Sequence, residues 1–127
     1  MSFEPTISTF AIFAGNASVL NFNFNDYTTK ADVLAAVDRI TYRGEHTNTT
    51  GAFRLARVGV LEPAYLDRTH AKRLVVLITD GSPTHDVDQL GTEVAAVKAL
   101  GATVVAFGVT DRVMWYTTLI INNQGRF

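Results

Sequence analysis

The chain has 127 residues, a formal net charge of −1 at pH 7, and 47% hydrophobic against 18% charged residues. That is enough apolar material for one folded domain, in a chain too short for a second core. So even a charge balance leaves no electrostatic footprint for nucleic acid or an anionic membrane surface, and the absence of cysteine excludes disulfides and thiolate metal sites.

In chain order, Thr6 to Ala14 is an apolar, β-branched run closed by Gly15-Asn16. Ser18 to Asn25 alternates strictly, with Leu20, Phe22 and Phe24 on one face and Asn21, Asn23 and Asn25 on the other, so the two runs read as a β-hairpin. Thr29 with Asp32 resembles a capping box, and Val33, Leu34, Val37 and Ile40 recur at helical spacing, which predicts an amphipathic helix over Thr29 to Ile40. After a polar loop from Tyr42 to Thr50, a second helix is expected from near Gly51 through Leu55 and Val58 to about Glu62, where Pro63 stops it. The tightest basic group, Arg68, His70, Lys72 and Arg73, reads as a solvated loop.

Arg73 to Thr79 is a continuous apolar strand without alternation, the pattern of a strand buried on both faces. Asp86 with Gln89 gives a second capping-box pattern for a helix that turns Leu90, Val94, Val97 and Leu100 inward and ends at a left-handed Gly101. Thr103 to Val109 forms another apolar strand. Strand, helix and strand at this spacing make a right-handed parallel unit. The fold class is therefore α/β, a doubly wound, mainly parallel sheet with one antiparallel edge hairpin. The tail from Met114 gives no clear pattern.

No apolar run is long enough to span a bilayer, and no N-terminal stretch has a signal-peptide pattern. The chain is either cytosolic or part of a longer protein whose targeting segment lies elsewhere.

Ligands of open α/β sheets gather at the carboxyl ends of the strands. Two segments point there: the loop Thr47-Asn48-Thr49-Thr50-Gly51 and the strand end Thr79-Asp80-Gly81-Ser82. One carboxylate beside several hydroxyls is a hard-oxygen environment suited to Mg²⁺. The same residues admit a plainer reading, with Asp80 as a turn residue bonded to its own backbone and the threonines as helix caps. His46, His70 and His85 stand apart in sequence beside turn or loop residues and read as solvated surface positions. No phosphate-binding glycine loop, zinc-protease motif or catalytic triad spacing is present.

The succession NFNDY, TYRGEHTNTTGAFRLAR, KRLVVLITDGSPTHD and VVAFGV resembles the von Willebrand factor type A (vWA) domains of matrix and adhesion proteins over about residues 5–110. The resemblance implies a non-enzymatic adhesion module that binds a protein through a divalent cation at a metal-ion-dependent adhesion site. On that basis Thr47 and Asp80 match metal-site residues, Gly51 the glycine that opens the helix and Gly81 the glycine after the acid, with Thr49 and Ser82 beside them as ligand-binding positions. The implied cofactor is Mg²⁺ or Mn²⁺, and the implied partner is a protein presenting an acidic residue, collagen or another matrix protein among them. Localisation would be extracellular, as part of a longer secreted protein.

The family's first strand ends in D-x-S-x-S, and no such motif occurs among these 127 residues. The domain is thus expected to be incomplete: a single partial vWA domain over residues 1–127, weak in metal binding, with the gap falling between the strands of Thr6–Ala14 and Arg73–Thr79. Open edges there would favour self-association. Two alternatives remain, a metal-free structural interaction module and a receiver-like phosphoryl-transfer domain using Asp80. Of the two glycosylation sequons, Asn16 falls on the expected hairpin turn and is a weak sign of secretion, whereas a glycan on Asn48 would block the metal loop.

Overall fold

The computed structural model describes residues 10–14, 17–23, 26–44, 46–62, 72–80 and 82–109. Strands β1 (Phe10–Ala14) and β2 (Ala17–Phe22) pair antiparallel, with Ala14 opposite Ala17 and Phe10 opposite Phe22. The alternation in β2 comes out as expected: Phe22 is buried and meets Tyr27 edge-on at 5.4 Å, while Asn21 is exposed. The expected extensions at Thr6 to Thr9 and at Phe24 and Asn25 lie outside the described residues.

Helix α1 (Lys30–Asp38) starts as its sequence dictates. The Thr29 hydroxyl accepts the Asp32 amide at 3.2 Å and donates to the Asp32 carboxylate at 2.6 Å, satisfying one of the otherwise unpaired first-turn donors. Its inward face differs from the expected one. Ala36 is the buried residue and Leu34 is 54% exposed, because a single short helix lying at the surface buries only a narrow stripe.

Helix α2 (Thr49–Leu55) begins two positions before the expected start at Gly51 and continues as a π-helical segment over Ala56–Leu61, where Glu62 N–H reaches back to the Arg57 carbonyl at 2.9 Å. The wider turn changes which side chains face inward. Phe53, Val60 and Leu61 are buried, whereas Val58, expected in the apolar stripe, is 52% exposed. Pro63, Arg68 and His70 lie outside the described residues, while Lys72 is exposed and Arg73 donates to the Leu100 carbonyl at 2.9 Å.

Strands β3 (Arg73–Thr79) and β4 (Ala102–Gly108) pair in parallel, Leu77 opposite Ala106, and the connection between them carries a 3₁₀ turn at Val87–Gln89 and helix α3 (Leu90–Ala99). Leu90, Val94 and Val97 are almost fully buried, and Gly101 takes the left-handed conformation (φ 83°) that ends the helix. The expected capping box at Asp86 does not form. Asp86 is itself left-handed (φ 46°) and makes no side-chain cap; its carbonyl accepts from Gln89 N–H instead.

The largest correction concerns β3. Its apolar run is not covered on both faces: Leu77 and Thr79 are buried, but Leu74, Val76 and Ile78 are 48–63% exposed. Leu77 joins Phe53, Leu90, Val94, Val97 and Val104 in one core beneath α2 and α3, and no described element covers the opposite face. Among the described residues the four strands form two separate two-stranded sheets, and helix α2 touches both the hairpin and α3. The two antiparallel and two parallel strands are present as expected, without a ladder joining the hairpin to β3.

Candidate functional site

Both candidate loops lie at the carboxyl end of β3, and the chain ties them together. The loop that follows β3 returns to the loop that precedes α2. Thr84 donates twice to the Thr47 carbonyl, from its N–H at 2.9 Å and from its hydroxyl at 3.1 Å. One turn further on, the Thr50 hydroxyl donates to the Asp86 carbonyl at 3.0 Å. These bonds cross 36 and 37 positions of sequence, so the segment holding Asp80 and Ser82 is anchored against the one holding Thr47 and Thr49.

The start of α2 is built for close approach. Asn48 is buried, and its side-chain carbonyl accepts Gly51 N–H at 2.8 Å. A Cβ at position 51 would meet the Asn48 amide at 2.7–2.9 Å, so any larger residue there has to displace the Asn48 cap. A glycan on Asn48 would have to dismantle this cap. Thr49 and Thr50 are wholly buried; Thr50 is satisfied through Asp86, but the Thr49 hydroxyl has no partner. An orphaned hydroxyl inside a domain costs roughly 1–3 kcal/mol unless a water or ion satisfies it.

Asp80 stands exposed at the end of β3, and Ser82 is half-buried. Gly81 and the sequon residue Asn16 lie outside the described residues. Every side-chain donor that the sequence proposes here is an oxygen, which fits a hard cation and does not fit a soft one. Among the described residues no three His, Cys, Asp or Glu side chains converge, so water would have to supply much of such a cation's shell.

Behind the site, α2 is fastened to α3 by ion pairs. Glu93 is largely buried and receives Arg54 Nε at 3.0 Å and Arg57 Nε at 2.9 Å; Arg57 also reaches Glu62 at 3.0 Å, and Arg54 reaches Gln89 at 2.8 Å. The Arg57 hydrogen bond holds the Glu93 carboxyl below its ordinary range, and the same contact raises Arg57. Neither this clamp nor the Thr84–Thr47 bridge is visible in sequence, because each joins residues far apart along the chain without a local pattern.

Comparisons with known proteins place the chain in a family. The sequence model of the von Willebrand factor type A domain matches residues 7–123, and the chain belongs to that family. Human collagen alpha-1(XX) chain is 37% identical over 99 residues, 78% of this chain and 7% of that protein. Bovine vitrin is 34% identical over 68 residues, 54% of this chain and 10% of that protein. The chain thus spans a small part of the curated relatives it matches.

Among solved structures, proximal thread matrix protein 1 of the mussel byssus superposes with a TM-score of 0.82 over 91% of this chain and 30% of that one, at 19% identity, which shows the fold. A second structure of that mussel protein, with a zinc-occupied MIDAS motif, gives 0.73 over 89% of this chain and 28% of that one, at 24% identity.

Proposed function

We propose that the chain is a protein-binding module of the extracellular matrix. Its partner is engaged through a divalent cation held at the carboxyl end of β3 by Asp80 and Thr47, with the unpartnered Thr49 hydroxyl beside them. The observation that carries this reading is the double hydrogen bond from Thr84 to the Thr47 carbonyl, which fixes the two loops against one another. Family membership and similarity to a collagen chain and to vitrin support a non-enzymatic matrix role, secreted as part of a longer protein, over phosphoryl transfer at Asp80. A bound Mg²⁺ or Mn²⁺ would supply an open coordination position for the carboxylate of a protein ligand, collagen being one candidate. Asp80 would balance the ion's charge and the threonine hydroxyls would orient it or its waters.

One carboxylate and neutral hydroxyls make a weak site. Mn²⁺ titrated into the 127-residue chain and followed by its electron paramagnetic resonance signal should bind only in the millimolar range, about 10⁻³ M or weaker for so few charged ligands. Asp80→Ala should remove that binding without changing the fold. Tight binding, or binding indifferent to Asp80→Ala, would place the ion elsewhere.

A second reading, a metal-free interaction surface, is favoured by Asp80 being the one acid proposed here and by the absence of a three-ligand cluster among the described residues. It predicts partner binding that survives chelator.

A further inference from the structure

The fold brings together two histidines that are 39 positions apart in sequence. His46 immediately precedes Thr47, and His85 follows the Thr84 that is bonded to Thr47; their ring centres lie 5.8 Å apart at 49°. His46 is exposed and His85 half-exposed, so the pair opens to solvent. Two imidazoles sharing one tetrahedral zinc, with Zn–N near ~2.0 Å, hold their ring centres about 5 Å apart. The ring spacing is therefore compatible with a shared ion.

A hydrogen bond also engages one ring nitrogen of His85. The Thr84 hydroxyl has one proton, which it gives to the Thr47 carbonyl at 3.1 Å. It also lies 3.0 Å from His85 Nδ1, a contact whose direction follows the imidazole tautomer. In the tautomer with its proton on Nδ1, His85 donates to the Thr84 hydroxyl and leaves the Nε2 lone pair for a metal. A metal-binding histidine needs just such an arrangement, with the far nitrogen held by a neighbouring oxygen that fixes tautomer and ring orientation.

We propose that His46 and His85 form a surface site for a borderline divalent transition metal, Zn²⁺ or Cu²⁺, with water or a partner's side chain completing the coordination. Imidazole nitrogens favour these ions, whereas Mg²⁺ favours oxygen, so the site is chemically distinct from the Asp80–Thr47 position beside it. An ion there would staple the loop before α2 to the loop after β3, adding a metal link to the Thr84–Thr47 bridge.

The test is isothermal titration of zinc chloride into the full chain in the presence of excess Mg²⁺, with Cu²⁺ electron paramagnetic resonance as a second measurement. Zinc should bind at one site despite the Mg²⁺. His46→Ala and His85→Ala should each weaken it about tenfold or more, as expected for removing one of two protein ligands. His70→Ala and Asp80→Ala should leave it unchanged. The Cu²⁺ spectrum should show two imidazole nitrogens in the parent chain and one in each of the two weakened variants, whose circular dichroism should match the parent.

Absence of zinc binding up to millimolar concentration would overturn the proposal. So would binding unaffected by both histidine substitutions, or binding lost with Asp80→Ala and displaced by Mg²⁺.

Discussion

The two faces of the β3–β4 sheet are made from the same run of apolar residues and have opposite fates. On one, Leu77 and Val104 are buried against α3 and Phe53; on the other, Leu74, Ile78 and Phe107 are 55–63% exposed. Side-chain chemistry does not separate the two sets. The neighbours do, since apolar area contributes to stability only when another element removes it from water. A family whose sheet is covered by helices on both sides thus supplies β3 with a sequence suited to two-sided burial, and the described residues cover one side.

The contrast should be sharpest in stability. Leu90→Ala or Phe53→Ala, on the covered side, should each cost about 3–5 kcal/mol, as large-to-small changes in a packed core do. Urea unfolding of the purified chain measures it. A loss near zero would mean that the covered face is not the core.

On the bare side, Ile78→Thr and Leu74→Thr should change unfolding by no more than about 0.5 kcal/mol, the range of surface substitutions. They should, however, alter association. The parent chain is expected to pair with a second copy through this face and the adjoining β3 edge, so sedimentation velocity should show a shift toward monomer in the double variant. A parent chain that is already a sharply cooperative monomer at high concentration would show that other residues close the gap.

The α2–α3 clamp gives a smaller, pH-dependent effect. The Glu93 carboxyl lies below its ordinary range through its arginine partners, so its contribution is fully present above the unfolded glutamate value of about 4.3 and is lost as pH falls below that through the folded value. The difference in melting temperature between parent and Glu93→Gln should therefore be largest near neutrality and should shrink below about pH 4. A difference that stays constant with pH would remove the electrostatic explanation.

These contrasts also show what the sequence could reveal. The bounds of β3, the inward face of α3 and the Gly101 cap were readable because each is set by local pattern: an apolar run, a 3.6-residue period, a residue free to take positive φ. The same periodicity points Leu34 and Val58 to the interior. They lie outside because, among the described residues, no helix or strand packs extensively on α1, and the π turn after Leu55 rotates the residues that follow.

At the candidate site, the two loops that carry Thr47 and Asp80 were legible from their places before a helix and after a strand. The Thr84 bridge, the orphaned Thr49 hydroxyl and the His46–His85 pair were not. Each arises from two loops meeting in space, and nothing in either loop alone specifies the meeting.

In the proposed function, the Thr47 and Asp80 loops are two parts of one cation-dependent binding site. This can be measured by extending the chain at its N-terminus with a strand ending in D-x-S-x-S and following binding to immobilised collagen by surface plasmon resonance, with Mg²⁺ and then with chelator. Binding in Mg²⁺ should disappear in chelator, and Thr47→Ala and Asp80→Ala should each abolish it while leaving the melting temperature unchanged. Collagen binding that persists in chelator and in both variants would contradict it.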